Sequence, residues 1–453
     1  MIIFLFGITI FIHELGHFLA ARWMGLVVDA FSIGMGPAIW KKKHKGVVYR
    51  IGCLPIGGYV ALPQLDPSLG KKDSKNDDEK PKRELPALSP WRKIPVQLAG
   101  VTGNVVLAFI IAVIIYFAAS GPAYDHNEAL VGFVDTNSVA YAAGIRIGDN
   151  IKSVNGDSVG NWEEFIIDCV LVNEVELAIV GIGGEEKSVT IATKETSHGG
   201  RTIFGLEPSS PCFVLDVTKE GSAMRAGMRA GDIIIKLNNT PVMSMEHLSS
   251  IVDAHLNQEL PIEVLRGGEK LDFTVLPEYN VELERALIGI TFNPIDIKRK
   301  PLEQIERWGR PVFRILKAFV TPAEAKNAAS SISGPVSIFR IFWMSVRTSF
   351  LLALWLTGMI NINLAILNIL PIPILDGGHL FFTVVEIVTR KPINARFLMV
   401  VYQIFIVLLI TMMVLVTFND IRTIFTKDPG LEKDRSPAAE NAVPVEGDDG
   451  ESE

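Results

Sequence analysis

Four stretches of this chain are long and apolar enough to cross a lipid bilayer, and nothing else limits its possible folds so strongly. They cover residues 2–24, 96–119, 345–370 and 397–418. A spanning helix needs about 20 mostly apolar residues, because the bilayer core offers no water to the backbone N–H and C=O groups. The composition agrees, with 49% hydrophobic and 21% charged residues and a mean hydropathy of +0.32. A soluble globule carries about 25% charged residues. The net charge of −7 and the lack of a basic stripe interleaved with aromatics argue against nucleic acid as a partner. The lipid bilayer is the expected surroundings.

The first stretch is unlike a signal peptide: it lacks a basic leading segment and carries His13, Glu14 and His17 in its interior. We read it as retained in the membrane. Lys and Arg near span ends mark cytoplasmic loops. Lys41, Lys42, Lys43, Lys45, Arg50, Arg92 and Lys93 mark one, and Arg390, Lys391 and Arg396 another. The long segment 121–340 and both termini are then expected outside. Cys53, Cys169 and Cys212 form no CxxC pair and read as ordinary buried thiols, with a Cys169 to Cys212 bridge left open.

The outside segment repeats itself. SVAYAAGIRIGDNIKSVNG (138–156) aligns with SAMRAGMRAGDIIIKLNN (222–239), matching Ala143-Gly144 with Ala226-Gly227, Gly148-Asp149 with Gly231-Asp232, and Asn155 with Asn238. Each copy reads as a short helix, a Gly-Asp turn, a strand and an Asn-containing turn, followed by an amphipathic helix (162–172 and 246–255) and further strands. This resembles the circularly permuted PDZ domain of bacterial proteases, a fold that binds extended peptides by strand addition. Peptide ligands are possible partners, and so is a purely structural role for both copies. Residues 66–83 are charged, Pro-punctuated and aperiodic, as a flexible linker would be. The segment 302–318 mixes Arg and Lys with Trp308, Phe313 and Ile315, which suits an amphipathic helix at the membrane interface or an ordinary linker helix.

The strongest short signal is His13-Glu14-Leu15-Gly16-His17, an HExxH pattern. A step of about 100° per residue puts His13 and His17 on one helical face, where two imidazoles can grip one metal ion. Glu14 beside them can take a proton from a water molecule, the metalloprotease arrangement. An ionisable residue inside a spanning helix costs about 2.5–3.5 kcal/mol on insertion scales, so three within five positions call for a function. A hydrolytic zinc site has three protein ligands and one open position. The best third ligand is Asp376, in Asn368-Ile-Leu-Pro371-Ile-Pro373-Ile-Leu-Asp376-Gly377-Gly378-His379. Pro371 and Pro373 block helical hydrogen bonding there, and irregular backbone at membrane depth is tolerated only inside protein or beside a watery cavity. His379 is expected to cap this segment or face the cytoplasm rather than bind metal. His44, His126, His198, His247 and His255 read as surface groups. Two imidazoles and a carboxylate favour zinc.

HELGH in the first span, the tandem repeat outside and NxxPxPxLDG in the third span together resemble the site-two protease family of intramembrane zinc metalloproteases, in its regulator of sigma-E protease type. The resemblance covers nearly the whole chain. It implies that His13, His17 and Asp376 bind zinc, that Glu14 is the general base and that Asn368 helps hold the substrate backbone. It further implies single-span membrane substrates of the anti-sigma factor type, shortened beforehand by another protease, and remnant signal peptides. The setting implied is a bacterial inner membrane. Only twelve residues precede His13, fewer than the family leads one to expect. Residues 31–60 read as short strands separated by glycines, and the resemblance supports a re-entrant β element here. Its Val48, Tyr49, Arg50 and Ile51 are expected to meet an unwound substrate by strand addition.

The expected fold is a polytopic α-helical membrane protein with four spans, a membrane-associated β-hairpin and two α+β PDZ domains outside. Its divisions are 1–25 (first span), 26–63 (β element), 64–90 (charged cytoplasmic linker), 91–120 (second span), 121–208 and 209–280 (PDZ domains) and 281–340 (interfacial helix and linker). There follow 341–376 (third span), 377–396 (cytoplasmic loop), 397–418 (fourth span) and 419–453 (acidic disordered tail). Two other functions fit parts of the pattern. One is an inactive membrane-anchored PDZ scaffold with a structural metal. The other is an ion-coupled transporter using His13, Glu14 and Asp376 as proton carriers, against which stands the lack of an inverted repeat.

Overall fold

The computed structural model describes residues 1–65, 88–119, 128–195, 201–281, 283–292, 298–332 and 334–427. The charged stretch 66–83, the chain from residue 428, His126 and His198 lie outside them. The chain opens with α1 (Ile2–Trp23), β1 (Ala30–His44), β2 (Val47–Ala61) and α2 (Pro90–Ala118). A first module follows: β3 (Ala129–Val134), α3 (Val139–Ala142), β4 (Asn150–Val154), β5 (Asp157–Ser158), α4 (Trp162–Val170), β6 (Glu174–Val180), β7 (Glu186–Ala192), β8 (Lys194–Glu195), β9 (Arg201–Thr202) and β10 (Leu206–Pro208). A second comprises β11 (Cys212–Val217), α5 (Ser222–Ala226), β12 (Ile233–Leu237), β13 (Thr240–Pro241), α6 (Met245–Ala254), β14 (Leu260–Arg266), β15 (Glu269–Val275), β16 (Glu278–Asn280), β17 (Arg285–Leu287) and β18 (Ile290–Phe292). Helices α7 (Pro301–Val320), α8 (Ala325–Ser330), α9 (Pro335–Thr348), α10 (Phe350–Ile369), α11 (Asp376–Thr389) and α12 (Ala395–Lys427) complete the chain.

Among the described residues, α1, α2, α10 and the Arg396–Arg422 part of α12 are long and apolar enough to cross a membrane. Three segments differ from expectation. The region 341–376 is broken at Ser349, whose backbone is extended and whose hydroxyl accepts from Leu351 N to cap α10. Residues 377–396 are mostly helix: prolines 371 and 373 stop α10, and the helix restarts at Asp376. Residues 419–427 continue α12, where the buried Asp420 carboxylate accepts from Gly334 N (3.1 Å) and Ser337 N (2.9 Å) and so caps α9.

The two modules share one topology. Strand order is β10-β3-β4-β6-β7 with β5 on β4, and β18-β11-β12-β14-β15 with β13 on β12. The second module reaches Phe292, beyond the expected end at 280, because Val214 pairs with Phe292 across β11 and β18. Asn155 and Asn238 take left-handed conformations (φ 52° and 48°) at equivalent turns, which short polar side chains tolerate. Each module has its own core, built around Val131, Ile151, Phe165 and Leu177 in one and Val214, Ile234, Leu248 and Val264 in the other. Cys169 belongs to the first core and Cys212 to the second. Both are free, and burial pushes each thiol up to about 12. Cys53 is exposed, not buried, on β2. His247 is also buried rather than at the surface, its N–H accepted by the Ser244 cap of α6.

The β1–β2 element is more than a hairpin. Lys45 and Gly46 turn the chain with positive φ, and residues 40–44 pair with 47–51. Residues 30–33 pair with 48–51 on one side and with 58–61 on the other. Gly34, Gly36 and Gly57, all left-handed, supply the bends that let two long strands act as four short ones.

Helix α7 joins the membrane body to the first module. Its Trp308 is buried against α10, where a Cβ on Gly358 would stand 2.4 Å from the indole. Its arginines face α4: Arg307 pairs with Glu163, Arg310 with Glu164, and Arg314 with Asp168 at 2.6 Å. Replacing Gly358 with Leu should force Trp308 out and cost about 1–3 kcal/mol of overpacking. The test is the thermal midpoint in detergent, and a wild-type value would contradict a wedged indole.

Candidate metal centre

Helix α1 places His13 and His17 one turn apart, with Glu14 next to His13, so the imidazoles share a face. Their Nε2 atoms are 3.3 Å from each other, and lie 3.4 Å (His13) and 3.3 Å (His17) from Asp376 Oδ2. His17 Nδ1 donates to the Val96 carbonyl at 2.8 Å. A carbonyl only accepts, so that bond leaves the His17 Nε2 lone pair directed at the cluster. Asp376 Oδ2 is buried without a hydrogen-bond donor. Three electron-pair donors facing one another repel unless a cation lies among them, and this set fits zinc. Among the described residues, this is the one group of three or more His, Cys, Asp or Glu side chains close enough to share an ion.

Two local structures make the convergence possible. Helix α2 crosses α1 in close contact: a Cβ on Gly100 would stand 2.3 Å from His17 Nε2 and 2.6 Å from His13 Cε1, and one on Gly16 would stand 2.3 Å from the Ala99 carbonyl oxygen. Asp376 opens α11 after the non-helical run 370–375, which folds back so tightly that a Cβ on Gly377 or Gly378 would strike the carbonyl oxygens of Ile369 and Ile372 at 2.3 and 2.2 Å. Helix α11 is tied to α2 by Gln97 Nε2 donating to Thr383 Oγ1 (2.9 Å) and by Lys93 with Glu386 (2.8 Å). The carboxylate and the imidazoles are thus referred to the same helix.

The cluster opens on a cavity of about 250 Å³, lined also by Glu14, by Gly58 to Val60 of β2, by Gln97 and by His379. Gly58 lies so near Glu14 that a Cβ there would be 2.8 Å from its Cγ. His379, expected away from the metal, lines the cavity but stands outside the ligand group. Asn368 is half-buried near the end of α10 and does not line the cavity. Val48, Tyr49, Arg50 and Ile51 are flanked by paired strands on both sides, so they have no open edge to offer. The segment 58–61 has its pairing strand on one side only among the described residues, and that is the segment beside Glu14. Gly100, Gln97 and Gly58 were absent from the expected site. A signal for the first was present: Gly100 and Gly103 in an apolar helix mark a face built for close helix approach.

The model of peptidase family M50 matches residues 1–412. The chain belongs to that family. Membership makes it a metalloprotease with zinc as its cofactor, as the ligand set suggests. The family relatives include a Vibrio cholerae protein named as a zinc metalloprotease, 26% identical. The regulator of sigma-E protease of Escherichia coli K12 is 26% identical and that of Haemophilus influenzae 27%. Each match covers 91% of this chain and 96% of the relative.

Replacing Gly100 with Ala should displace the two imidazoles and lower zinc retention at least about tenfold, as loss of a supporting contact does elsewhere. Zinc content of the purified variant checks this, and one zinc per chain would show that the crossing does not set the site.

Proposed function

We propose that this M50 peptidase cleaves peptide bonds within the membrane-spanning segments of single-span proteins. The observation that carries the reading is the convergence of His13, His17 and Asp376 beside Glu14, with the histidines and Glu14 inside a helix of membrane-span length. His13, His17 and Asp376 would hold zinc, leaving the cavity side open for water and substrate. Bound there, zinc would lower the pKa of a water toward about 7 and polarise the scissile carbonyl. Glu14 takes the proton of the attacking water and returns it to the leaving amine.

A peptide bond in a helix is shielded by its own hydrogen bonds, so the substrate must unwind and its freed backbone needs partners. The open edge at 58–61 supplies them by strand addition, and its position against Glu14 favours it over 48–51. We read the two modules as tandem PDZ domains outside an inner membrane, on the repeated sequence and the shared strand order. With the first anchored through α7, they act as a filter against substrates with large external domains. That suits substrates already trimmed by another protease, such as an anti-sigma factor, and remnant signal peptides.

Purified protein should cleave a reporter whose only candidate site is a spanning helix, and a chelator should stop it. Changing Glu14 to Gln should keep zinc and abolish cleavage, a loss of at least about 100-fold; full activity would refute its role as base. Deleting residues 128–292 should admit untrimmed substrate. If the deletion protein cuts only trimmed reporter, the filter reading is wrong.

A further inference from the structure

We propose that Gln97 of α2 is a substrate-binding residue, its side-chain oxygen accepting a hydrogen bond from a backbone N–H of the unwound substrate. The inference rests on the peptidase reading above. Gln97 stands one turn before Gly100, the residue that meets both imidazoles, and lines the metal cavity. The side chain belongs to the interior, with Gln97 only 7% exposed. Its Nε2 donates to Thr383 Oγ1 at 2.9 Å, while its buried Oε1 has no donor among the described residues. Leaving aside the ligand residues His13 and Asp376, Gln97 is the one described residue of the cavity lining with a buried polar atom that lacks a partner.

A buried amide oxygen without a donor costs the free protein stability, and a ligand N–H that reaches it removes the cost. An unwound substrate brings such groups. Successive N–H groups of an extended strand point to opposite sides, so the 58–61 edge can satisfy only those on one side. Those on the other side need acceptors that lipid does not offer. Tyr59, which also lines the cavity, already takes a hydrogen bond from Arg50 (2.9 Å), and Glu14 is committed to the attacking water. The Gln97 oxygen is uncommitted, and the bond from Nε2 to Thr383 fixes its amide before substrate arrives.

The test uses the full chain in detergent, loaded with zinc, and a synthetic spanning-helix reporter, with kcat and KM measured for Gln97→Met and Thr383→Val. Methionine keeps the length of the side chain and removes both polar atoms. Both variants break the tie between α2 and α11, so they share whatever that tie contributes to the metal site. Only Gln97→Met removes the acceptor, and it alone should raise KM, about tenfold, as loss of one hydrogen bond to bound substrate does. A second series replaces one backbone amide of the reporter at a time with an ester, near the scissile bond but not at it, which deletes a single N–H. At one position the ester should raise KM about tenfold in the wild-type protein and leave it unchanged in Gln97→Met. An unchanged KM in Gln97→Met, an equal rise in Thr383→Val, or ester effects identical in wild type and Gln97→Met would each overturn the assignment. If Gln97→Met does not fold, Gln97→Ala takes its place with the same outcomes, and a wild-type ester series in which no position raises KM overturns the assignment without any variant. Absence of chelator-sensitive cleavage of the parent reporter by the wild-type protein would instead overturn the peptidase reading, and this inference with it.

Discussion

The close crossing of α1 and α2 is the constraint on which the site depends. Gly16 lies over the Ala99 carbonyl, Gly100 under both imidazoles and Gly103 against the Ile12 carbonyl, each with no room for a Cβ. In a bilayer, helices gain nothing by burying apolar surface from lipid, so association comes from close packing of small residues and from polar contacts. The same crossing that holds the helices together sets the imidazoles against α2, where the Val96 carbonyl fixes the His17 tautomer. Assembly of the membrane body and orientation of the ligands are one event.

The second half of the site depends on backbone that is not helix. Run 370–375 lowers the chain back on itself, and its glycines 377 and 378 permit contacts with main-chain oxygens that any side chain would forbid. Non-helical backbone inside a membrane needs protein or water around it, and a cavity of about 250 Å³ lies beside Asp376. The ties from Gln97 and Lys93 to α11 then turn a flexible joint into a fixed ligand position.

How much of this was legible in the sequence follows from the range of the interaction. HExxH repeats at helical spacing, so the face shared by His13 and His17 is local information, and Pro371 and Pro373 announce a break wherever they occur. The repeat around Asn155 and Asn238 is likewise local, and it foretold two modules of like topology. The errors were in pairings between distant segments. The run Val48 to Ile51 has the composition of an edge strand, but which of four short segments lies at the rim is set by three-dimensional register, and residues 58–61 take that place. Asn368 sits close to Asp376 in sequence, yet it is not among the residues that line the cavity. The helical nature of 377–389 was hidden by its glycines, which are there for close approach and not to end a helix.

The placement of the first module bears on whether a size filter is physically sensible, since a domain on a free tether excludes little. Here α4 meets α7 through three ion pairs, and Leu171 packs with Ala318 and Ala328 in a small apolar cluster of fully buried side chains. Asn327 adds a hydrogen bond to the Leu171 carbonyl at 2.9 Å. Arg314, part-buried, reaches Asp168 on α4 and Glu324 beside α8 together, so one guanidinium ties α4 to the α7–α8 pair. Trp308, wedged at Gly358 of α10, carries that tie into the helix that leads to Asp376. The module is therefore tied to the same helical body that carries the metal ligands.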